Sequence, residues 1–284
     1  MGSTGRLRRH FESSRLPVNR GVMRFDKAAL EALDENFTEE EKKYLLAKFF
    51  PESRPVPWKV ALQKGWSDSE RWQRYLEADV REPIGAPYRY PHHWLVQVAQ
   101  ANRPLVTGSS VTDFTGWLFS LYGPPKDPQV LAQGRNVERQ LVRRYLLEPN
   151  RKGWTLEYEG IRSEGRQPKV ISALTVGGAP LRAAPDFVFK EKATGRVVIV
   201  EIKASNREIP SDGWPNLRAQ LWAYAHIDDW RDAPEIILVA EVWGFTSEKI
   251  VLRGTRRWKS NDDQLNRENI ELFALYGGDI ANPN

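Results

Sequence analysis

The chain has 284 residues, with 42 Lys and Arg against 37 Asp and Glu, a formal net charge of +5 and no cysteine. Its hydrophobic content of 40% is enough for a substantial core, and it contains neither an apolar run long enough to cross a bilayer nor a hydrophobic N-terminal stretch. We therefore predict a cytoplasmic protein without a membrane span. The absence of cysteine excludes disulfides, zinc fingers and iron–sulfur clusters, so any bound metal is expected to be magnesium-like, with oxygen ligands.

Residues 1–105 are predicted to form a helical accessory region. The stretches Thr38–Phe50 and Ser67–Leu76 each combine a capping box with apolar residues at helical spacing, and a short helix is expected over Trp94–Ala101. Arginines crowd the stretch from Arg6 to Arg24. This charge suits a polyanion, although a solvated face is the equal alternative. We predict that the region binds nucleic acid or a protein partner.

Residues 106–284 carry the pattern of an α/β domain. An aromatic helix is predicted to begin at the Ser/Thr-rich start of "SSVTDFTGWLFSLYG", and a long amphipathic helix follows from about Val130 to Leu147. Strand-like stretches lie near residues 154–162 and 168–175. The remaining predicted elements are a hairpin of "DFVFK" and "RVVIVEIKA", a helix at "NLRAQLWAYAHI", a strand at "EIILVAEVW" and a capped helix at "DDQLNRENIELFALYG". This alternation predicts a sheet covered by helices.

Charged residues interrupt the apolar pattern at three points. Glu201 and Lys203 end a strongly apolar strand and share one of its faces, because side chains alternate along a strand. Asp186 begins the partner strand of the hairpin, and Glu138 lies at the margin of the apolar stripe of the long helix. Burying charge is costly unless it is compensated. The three acids can therefore converge, with Lys203 beside them.

A shared pocket of this kind calls for a cation. Carboxylates about 4 Å apart repel by about 4 kcal/mol per pair at an effective dielectric near 20, and a divalent ion relieves that repulsion. Magnesium keeps water ligands, one of which can become a nucleophile. Lys203 would then orient or deprotonate that water and offset charge in the transition state. Taken alone, the Glu201–Lys203 pair also fits an ordinary surface salt bridge.

Pro185-Asp186, followed after a hairpin by Glu201-Ile202-Lys203, resembles the signature of the PD-(D/E)XK nuclease superfamily. Gly134 and Glu138 in "GRNVE" match the first acidic motif of that superfamily, which lies on a core helix. The resemblance covers roughly residues 106–245 and implies a restriction-endonuclease-like core, with a mixed central sheet flanked by helices, within a nuclease domain of residues 106–284.

A second motif is similar to the RecB-like branch of the same superfamily. Gln220 and Tyr224 in "QLWAY" match its Q-x-x-x-Y pattern, and "SSVTDFTGWLFSLYG" is similar to the segment that opens RecB-type nuclease domains. Many RecB-like members have histidine at the position of Glu138, and several carry an iron–sulfur cluster. A chain without cysteine cannot hold that cluster, so the subfamily is left open.

The resemblance implies a set of site residues. Asp186 and Glu201 become ligands of Mg²⁺, for which Mn²⁺ is expected to substitute, and the carbonyl of Ile202 becomes a further ligand. Glu138 would be an additional or a water-mediated ligand. The catalytic set is completed by Lys203 and by two residues that help position it and the nucleic acid backbone, Gln220 and Tyr224.

Further nucleic-acid contacts are predicted from charge. Arg135 and Arg139 lie on the polar side of the long helix, and Arg256 and Arg257 belong to a later basic stretch. A solvated face is again the alternative interpretation for this basic stretch.

The predicted function is metal-dependent hydrolysis of DNA phosphodiester bonds by a metal-activated water, in recombination, repair or phage defence. Cutting from ends and internal cutting are both left open. The alternatives are a catalytically silent nucleic-acid-binding module on a nuclease scaffold, an RNase, and a nuclease that needs an activating ligand.

Overall fold

The computed structural model describes residues 59–61, 68–76, 90–124, 128–147, 153–160, 167–207, 209–210, 212–246 and 249–281. All of them belong to one compact unit, Pro55–Asn284. The helix predicted over Thr38–Phe50 and the arginines from Arg6 to Arg24 lie outside the described residues.

The described part of the chain contains six helices and nine strands. The helices are α1 (Asp68–Leu76), α2 (His92–Ala101), α3 (Val111–Ser120), α4 (Pro128–Leu147), α5 (Pro215–Tyr224) and α6 (Asp263–Tyr276). The strands are β1 (Lys59–Ala61), β2 (Trp154–Glu159), β3 (Lys169–Val176), β4 (Ala179–Ala183), β5 (Phe187–Glu191), β6 (Val197–Ala204), β7 (Ile236–Phe245), β8 (Lys249–Lys259) and β9 (Gly278–Ile280).

A mixed sheet forms the centre of the fold. Its six described strands run in the order β1-β8-β7-β6-β5-β2, and a separate sheet has the order β4-β3-β9. Strand β6 pairs antiparallel with β5 and parallel with β7. The predicted α/β fold, with a mixed central sheet flanked by helices, is confirmed, and it is consistent with a restriction-endonuclease-like core.

Strand β6 is buried throughout its first six residues, five of which are apolar, because both of its faces are covered. Val198, Val200 and Ile202 pack in one core cluster with residues of α1 and α4, and we call this side of the sheet the α4 face. Val197 and Ile199 pack in a second cluster with residues of α2, α3, α5 and α6, which defines the α5 face. All of these side chains are buried. The sequence of a strand that lies between two helical layers is typically a nearly continuous run of hydrophobic residues.

The predicted hairpin is present as β5 and β6. Its turn contains Gly195 at φ +76°, a left-handed conformation that favours glycine. The long helix, the aromatic helix, the C-terminal helix and the strand at "EIILVAEVW" are also present. Strand β8 was not expected, since its many arginines and lysines read as a basic patch rather than as an alternating strand.

Three described elements of the predicted accessory region, β1, α1 and α2, belong to the same unit. Strand β1 adds to the sheet by pairing parallel with β8, and α2 packs against α6. The boundary at residue 105 stays a prediction. Within the described ranges, none of the helices combines the length and the apolar character needed to cross a bilayer.

A fully buried carboxylate ties α1 to the sheet on the α4 face. Glu241 on β7 has no exposed surface and accepts hydrogen bonds from the hydroxyls of Tyr75 and Tyr145 and from the indole of Trp243 at 2.9 Å. Arg71 lies 3.2 Å from the same carboxylate, with its side chain 2% exposed. Both oxygens of Glu241 therefore have donors. This arrangement offsets the cost of burying the charge.

Replacing this carboxylate should destabilise the fold strongly. We expect Glu241→Gln to lower the free energy of unfolding by about 3–5 kcal/mol, because the buried guanidinium of Arg71 loses its charged partner. Urea denaturation measures the change. Glu191→Gln is the matched control, since Glu191 pairs with Arg196 near the surface and should contribute about 0–1 kcal/mol. Equal effects of the two substitutions would contradict this account.

Candidate active site

Three predicted acids meet at the carboxyl end of β6. Asp186 directly precedes β5, and its Oδ2 accepts a hydrogen bond from the backbone N–H of Ile202 at 2.6 Å. Glu201 lies on β6 itself and is 3% exposed. Glu138 reaches the same strand end from α4, where its Oε1 accepts from the backbone N–H of Ala204 at 3.3 Å. Folding thus brings together side chains from a helix, a turn and a strand.

A hydrogen-bond chain holds Glu201 in place. Its Oε1 accepts from Lys203 Nζ at 2.5 Å and from Gln220 Nε2 at 2.7 Å. The same amide nitrogen of Gln220 donates to the hydroxyl of Tyr224 at 2.7 Å, and that hydroxyl lies 3.3 Å from the carbonyl of Ala184 as its donor. Gln220 and Tyr224 can both join this chain because they lie one turn apart on α5. Both amide hydrogens of Gln220 are used.

The second oxygen of Glu201 differs from the first. Oε2 is buried and has no hydrogen-bond partner among the described residues. Buried polar atoms are rarely left without a partner, because the desolvation of the group is then uncompensated. A carboxylate oxygen in this state is a suitable ligand for a hard cation. The donor chemistry of the site therefore fits a magnesium-like ion.

The three acids do not form a preassembled carboxylate cluster. In the described part of the chain, no three His, Cys, Asp or Glu side chains are grouped so that they could hold a metal ion together. Asp186 and Glu138 use oxygens to bind backbone N–H groups, and Glu201 uses one to bind Lys203 and Gln220. The ligand set predicted from the sequence stays a prediction, as does the role of the Ile202 carbonyl.

The electrostatics of the site favour added positive charge. Burial raises the pKa of Asp186 well above its usual range, and the nearby Glu201 raises it further, against the opposing effect of Lys203. Burial also raises the pKa of Glu138. For Lys203, burial alone would lower the pKa, but the three carboxylates together outweigh it and raise the pKa. An additional cation would relieve the repulsion between these acids.

An open cleft of about 700 Å³ lies over this strand end. Glu138, Lys203 and Gln220 line it, so three of the predicted catalytic residues are accessible from the same space. Its other walls come from α3, the start of α4 and the loop that leads into α5. Aromatic side chains line it at Phe119 and Trp214.

The predicted arginines of α4 differ in position. Arg135 lines the cleft, whereas Arg139, one turn further along α4, is exposed and does not line it. Arg207 lines the cleft as well, four residues after Lys203. We did not identify Arg207 or Trp214 from the sequence. Both residues lie between β6 and α5, the two elements that carry the predicted motifs, and this position in the sequence could have indicated that they lie near the site.

The two predicted arginines of β8 lie on opposite faces of the sheet. Arg256 lies on the α5 face, in register with Ala240 and, across β7, with Glu201, but its guanidinium donates to the carbonyls of residues 209 and 210. Arg257 lies on the α4 face and donates to the carbonyl of Tyr75 at 2.6 Å. Their predicted contacts with nucleic acid stay predictions.

The hydrogen-bond chain through α5 should contribute measurably to the stability of the protein. We expect Gln220→Ala and Tyr224→Phe each to destabilise the protein by about 1 kcal/mol or more, because each removes a buried hydrogen-bonding group. Since the two groups bind each other, the double variant should be less destabilised than the sum, with a coupling of about 0.5–1.5 kcal/mol. Urea denaturation of the four proteins gives this value. Strict additivity would show that the two side chains do not interact.

Comparisons with known proteins give weak similarities. No family model matches the chain, and no curated protein is significantly similar to it in sequence. The fold is similar to that of an alkaline exonuclease (LHK-Exo) from Laribacter hongkongensis, with 15% identity and a TM-score of 0.33 over 64% of this chain and 84% of that chain. It is also similar to SSO0001, with 16% identity and a TM-score of 0.29 over 64% and 85% of the two chains. Similarities at these TM-scores support no argument about function.

Proposed function

We propose that this protein is a metal-dependent nuclease of the PD-(D/E)XK type that hydrolyses DNA phosphodiester bonds. One observation carries the proposal. Asp186, Glu201 and Lys203 meet at the end of β6 below an open cleft, and Glu201 keeps a buried oxygen without a hydrogen-bond partner among the described residues.

The metal would be held by carboxylates at this strand end. Asp186 and Glu201 are the ligands that the site chemistry supports best, with the carbonyl of Ile202 and the carboxylate of Glu138 as further ones. A divalent ion such as Mg²⁺ supplies an activated water and neutralises charge on the reacting phosphate.

The side chains of the cleft have separate tasks in this proposal. Lys203 is 30% exposed and presents its ammonium to the cleft, where it can donate to the water or to a phosphate oxygen. Gln220 fixes Glu201 through its amide, and Tyr224 fixes the amide in turn. Arg135 and Arg207 line the cleft and can bind phosphates on either side of the scissile bond.

The match of Gln220 and Tyr224 to the Q-x-x-x-Y pattern supports a RecB-like enzyme, and with it DNA rather than RNA as substrate. Recombination, repair and phage defence are the cellular roles that suit such an activity. These roles rest on analogy with the family.

Cleavage assays test the proposal directly. We expect linear or circular DNA to be cut with Mg²⁺ or Mn²⁺ and not with EDTA, and Lys203→Ala to lower the rate by about 10²–10³-fold, because the variant loses a charge that stabilises the transition state. Gel analysis with RNA substrates in parallel reports the preferred nucleic acid. Cutting of circular DNA distinguishes internal cleavage from digestion of ends.

The matched control for this assay is Lys190→Ala. Lys190 is an exposed lysine on β5, outside the cleft, and its removal should leave the rate unchanged. Cleavage that persists in EDTA, or that survives Lys203→Ala undiminished, would refute the proposed mechanism.

A catalytically silent nucleic-acid-binding module is the second candidate. The observation that favours it is the engagement of Glu201 Oε1 by both Lys203 and Gln220, together with the lack of a preassembled carboxylate cluster among the described residues. A binding module needs the cleft and its arginines, but it has no need of a metal at the end of β6.

Metal binding separates the two candidates. If the site binds a cation, Mn²⁺ should raise the melting temperature of the wild-type protein, because a ligand that binds only the folded state stabilises it. Glu201→Gln should abolish this increase, whereas Glu191→Gln, a substitution near the surface, should preserve it. Differential scanning fluorimetry with and without Mn²⁺ measures the shift for each variant. An equal shift in all three proteins would place the metal elsewhere.

A further inference from the structure

One tryptophan of the cleft is not explained by helix capping and is only partly used in packing against the core. Trp214 precedes α5 at its N-cap, where polar residues are preferred because their side chains bind free backbone N–H groups. Its side chain forms no capping hydrogen bond. The residue is only partly buried, and its ring lines the cleft.

The ring of Trp214 is also without an aromatic or hydrogen-bonding partner among the described residues. Among the other tryptophans of the described part, all but Trp258 have one. Trp117 donates its indole N–H to a backbone carbonyl, Trp222 and Trp243 donate theirs to side chains, and Trp94 contacts the ring of Tyr90. Part of the aromatic surface of Trp214 packs against the core, and the rest faces the cleft.

Several contacts hold the described residues just before Trp214 in place. Gly213 has φ +78°, and a Cβ at this position would lie 3.1 Å from the ring of Trp258, so the turn requires glycine. Arg256 donates to the carbonyls of residues 209 and 210, and Arg218 binds Asp212 at 3.1 Å. These contacts restrain the backbone next to Trp214, which reduces the entropy lost on binding.

Cationic side chains line the same cleft as this ring. Arg135, Arg207 and Lys203 line the same space, and neither arginine forms an ion pair with a described carboxylate. Their guanidinium groups remain available for phosphates. An aromatic ring and cationic side chains in one cleft can together bind single-stranded nucleic acid, since bases stack on the ring while the backbone follows the positive charge.

We propose that Trp214 is a stacking platform for an unpaired nucleobase of the DNA strand that enters the cleft. The inference rests on the proposed function, because it assigns a base-binding part to the same cleft. It also narrows the substrate class to DNA with an unpaired segment at the site. Stacking is tolerant of sequence because every base has an aromatic face, so the platform should confer little base preference.

Binding of two short oligonucleotides tests this proposal without requiring cleavage. A fluorescent thymidine hexamer and a hexamer of abasic residues carry the same phosphates, but only the first has bases. In EDTA at low salt, Trp214→Leu should weaken binding of the thymidine hexamer about 10-fold and leave binding of the abasic hexamer unchanged. Trp214→Phe, which keeps a ring, should retain most of the affinity. Fluorescence anisotropy measures each Kd.

Leucine at position 214 keeps an apolar side chain against the core, so the Trp214→Leu variant tests the loss of stacking rather than the loss of packing. Thermal unfolding confirms that each variant is folded. Trp94→Leu is the matched control, because Trp94 is 37% exposed and lies outside the cleft. It should leave both affinities unchanged.

Three results would overturn the platform: equal weakening of both hexamers by Trp214→Leu, unchanged binding of the thymidine hexamer, or a wild-type protein that binds neither. Base-dependent binding by a protein that cuts no substrate would refute only the proposed catalysis. Cleavage that depends on Lys203, together with equal affinity for the thymidine and abasic hexamers, would refute only the stacking platform.

Discussion

The candidate site depends on one interaction, the burial of the Glu201 carboxylate at the carboxyl end of β6. A charge placed between a sheet and a helical layer is stable only if its oxygens are compensated. Lys203 and Gln220 compensate one oxygen, and nothing in the described part of the chain compensates the other. Helix α5 supplies Gln220 to this carboxylate, while the apolar side chains of the helix pack in the core.

A second buried carboxylate shows what full compensation looks like. Glu241 is in register with Ile202, the neighbour of Glu201, but it points to the α4 face. Both of its oxygens accept hydrogen bonds, and Arg71 lies beside it. Two carboxylates on adjacent strands thus have opposite environments. Glu241, on the α4 face, has donors for both oxygens and joins elements of the fold. Glu201, on the α5 face, has one oxygen without a donor among the described residues and is therefore suited to bind a cation.

The cleft above Glu201 unites parts of the chain that are far apart in sequence. Helices α3, α4 and α5 each contribute one wall, and the end of β6 forms the floor. Arg135 on α4, together with Arg207 and Trp214 in the connection between β6 and α5, gives the cleft both positive charge and aromatic surface. These features suit a flexible polyanion with stacked rings better than a compact small anion, and they connect the proposed chemistry to a class of substrate.

The sequence by itself determined the elements that carry the site. The alternation of Glu201 and Lys203 with buried apolar residues placed both on one face of a strand, and helical spacing placed Gln220 and Tyr224 one turn apart. These are local consequences of backbone geometry. The mixed α/β fold also followed from the order of such elements.

Only the tertiary structure decided which side chains meet. The sequence gives no sign that Tyr75 binds Glu241 across a separation of 166 residues, that Arg257 turns away from the cleft, or that Trp214 lines it. Strand β8 could not be predicted from the sequence for the same reason. Its arginines lie on opposite faces of the sheet and donate to backbone carbonyls of residues that are distant in sequence. Long-range contacts depend on how whole layers pack, and a pattern within one segment carries no information about its distant neighbours.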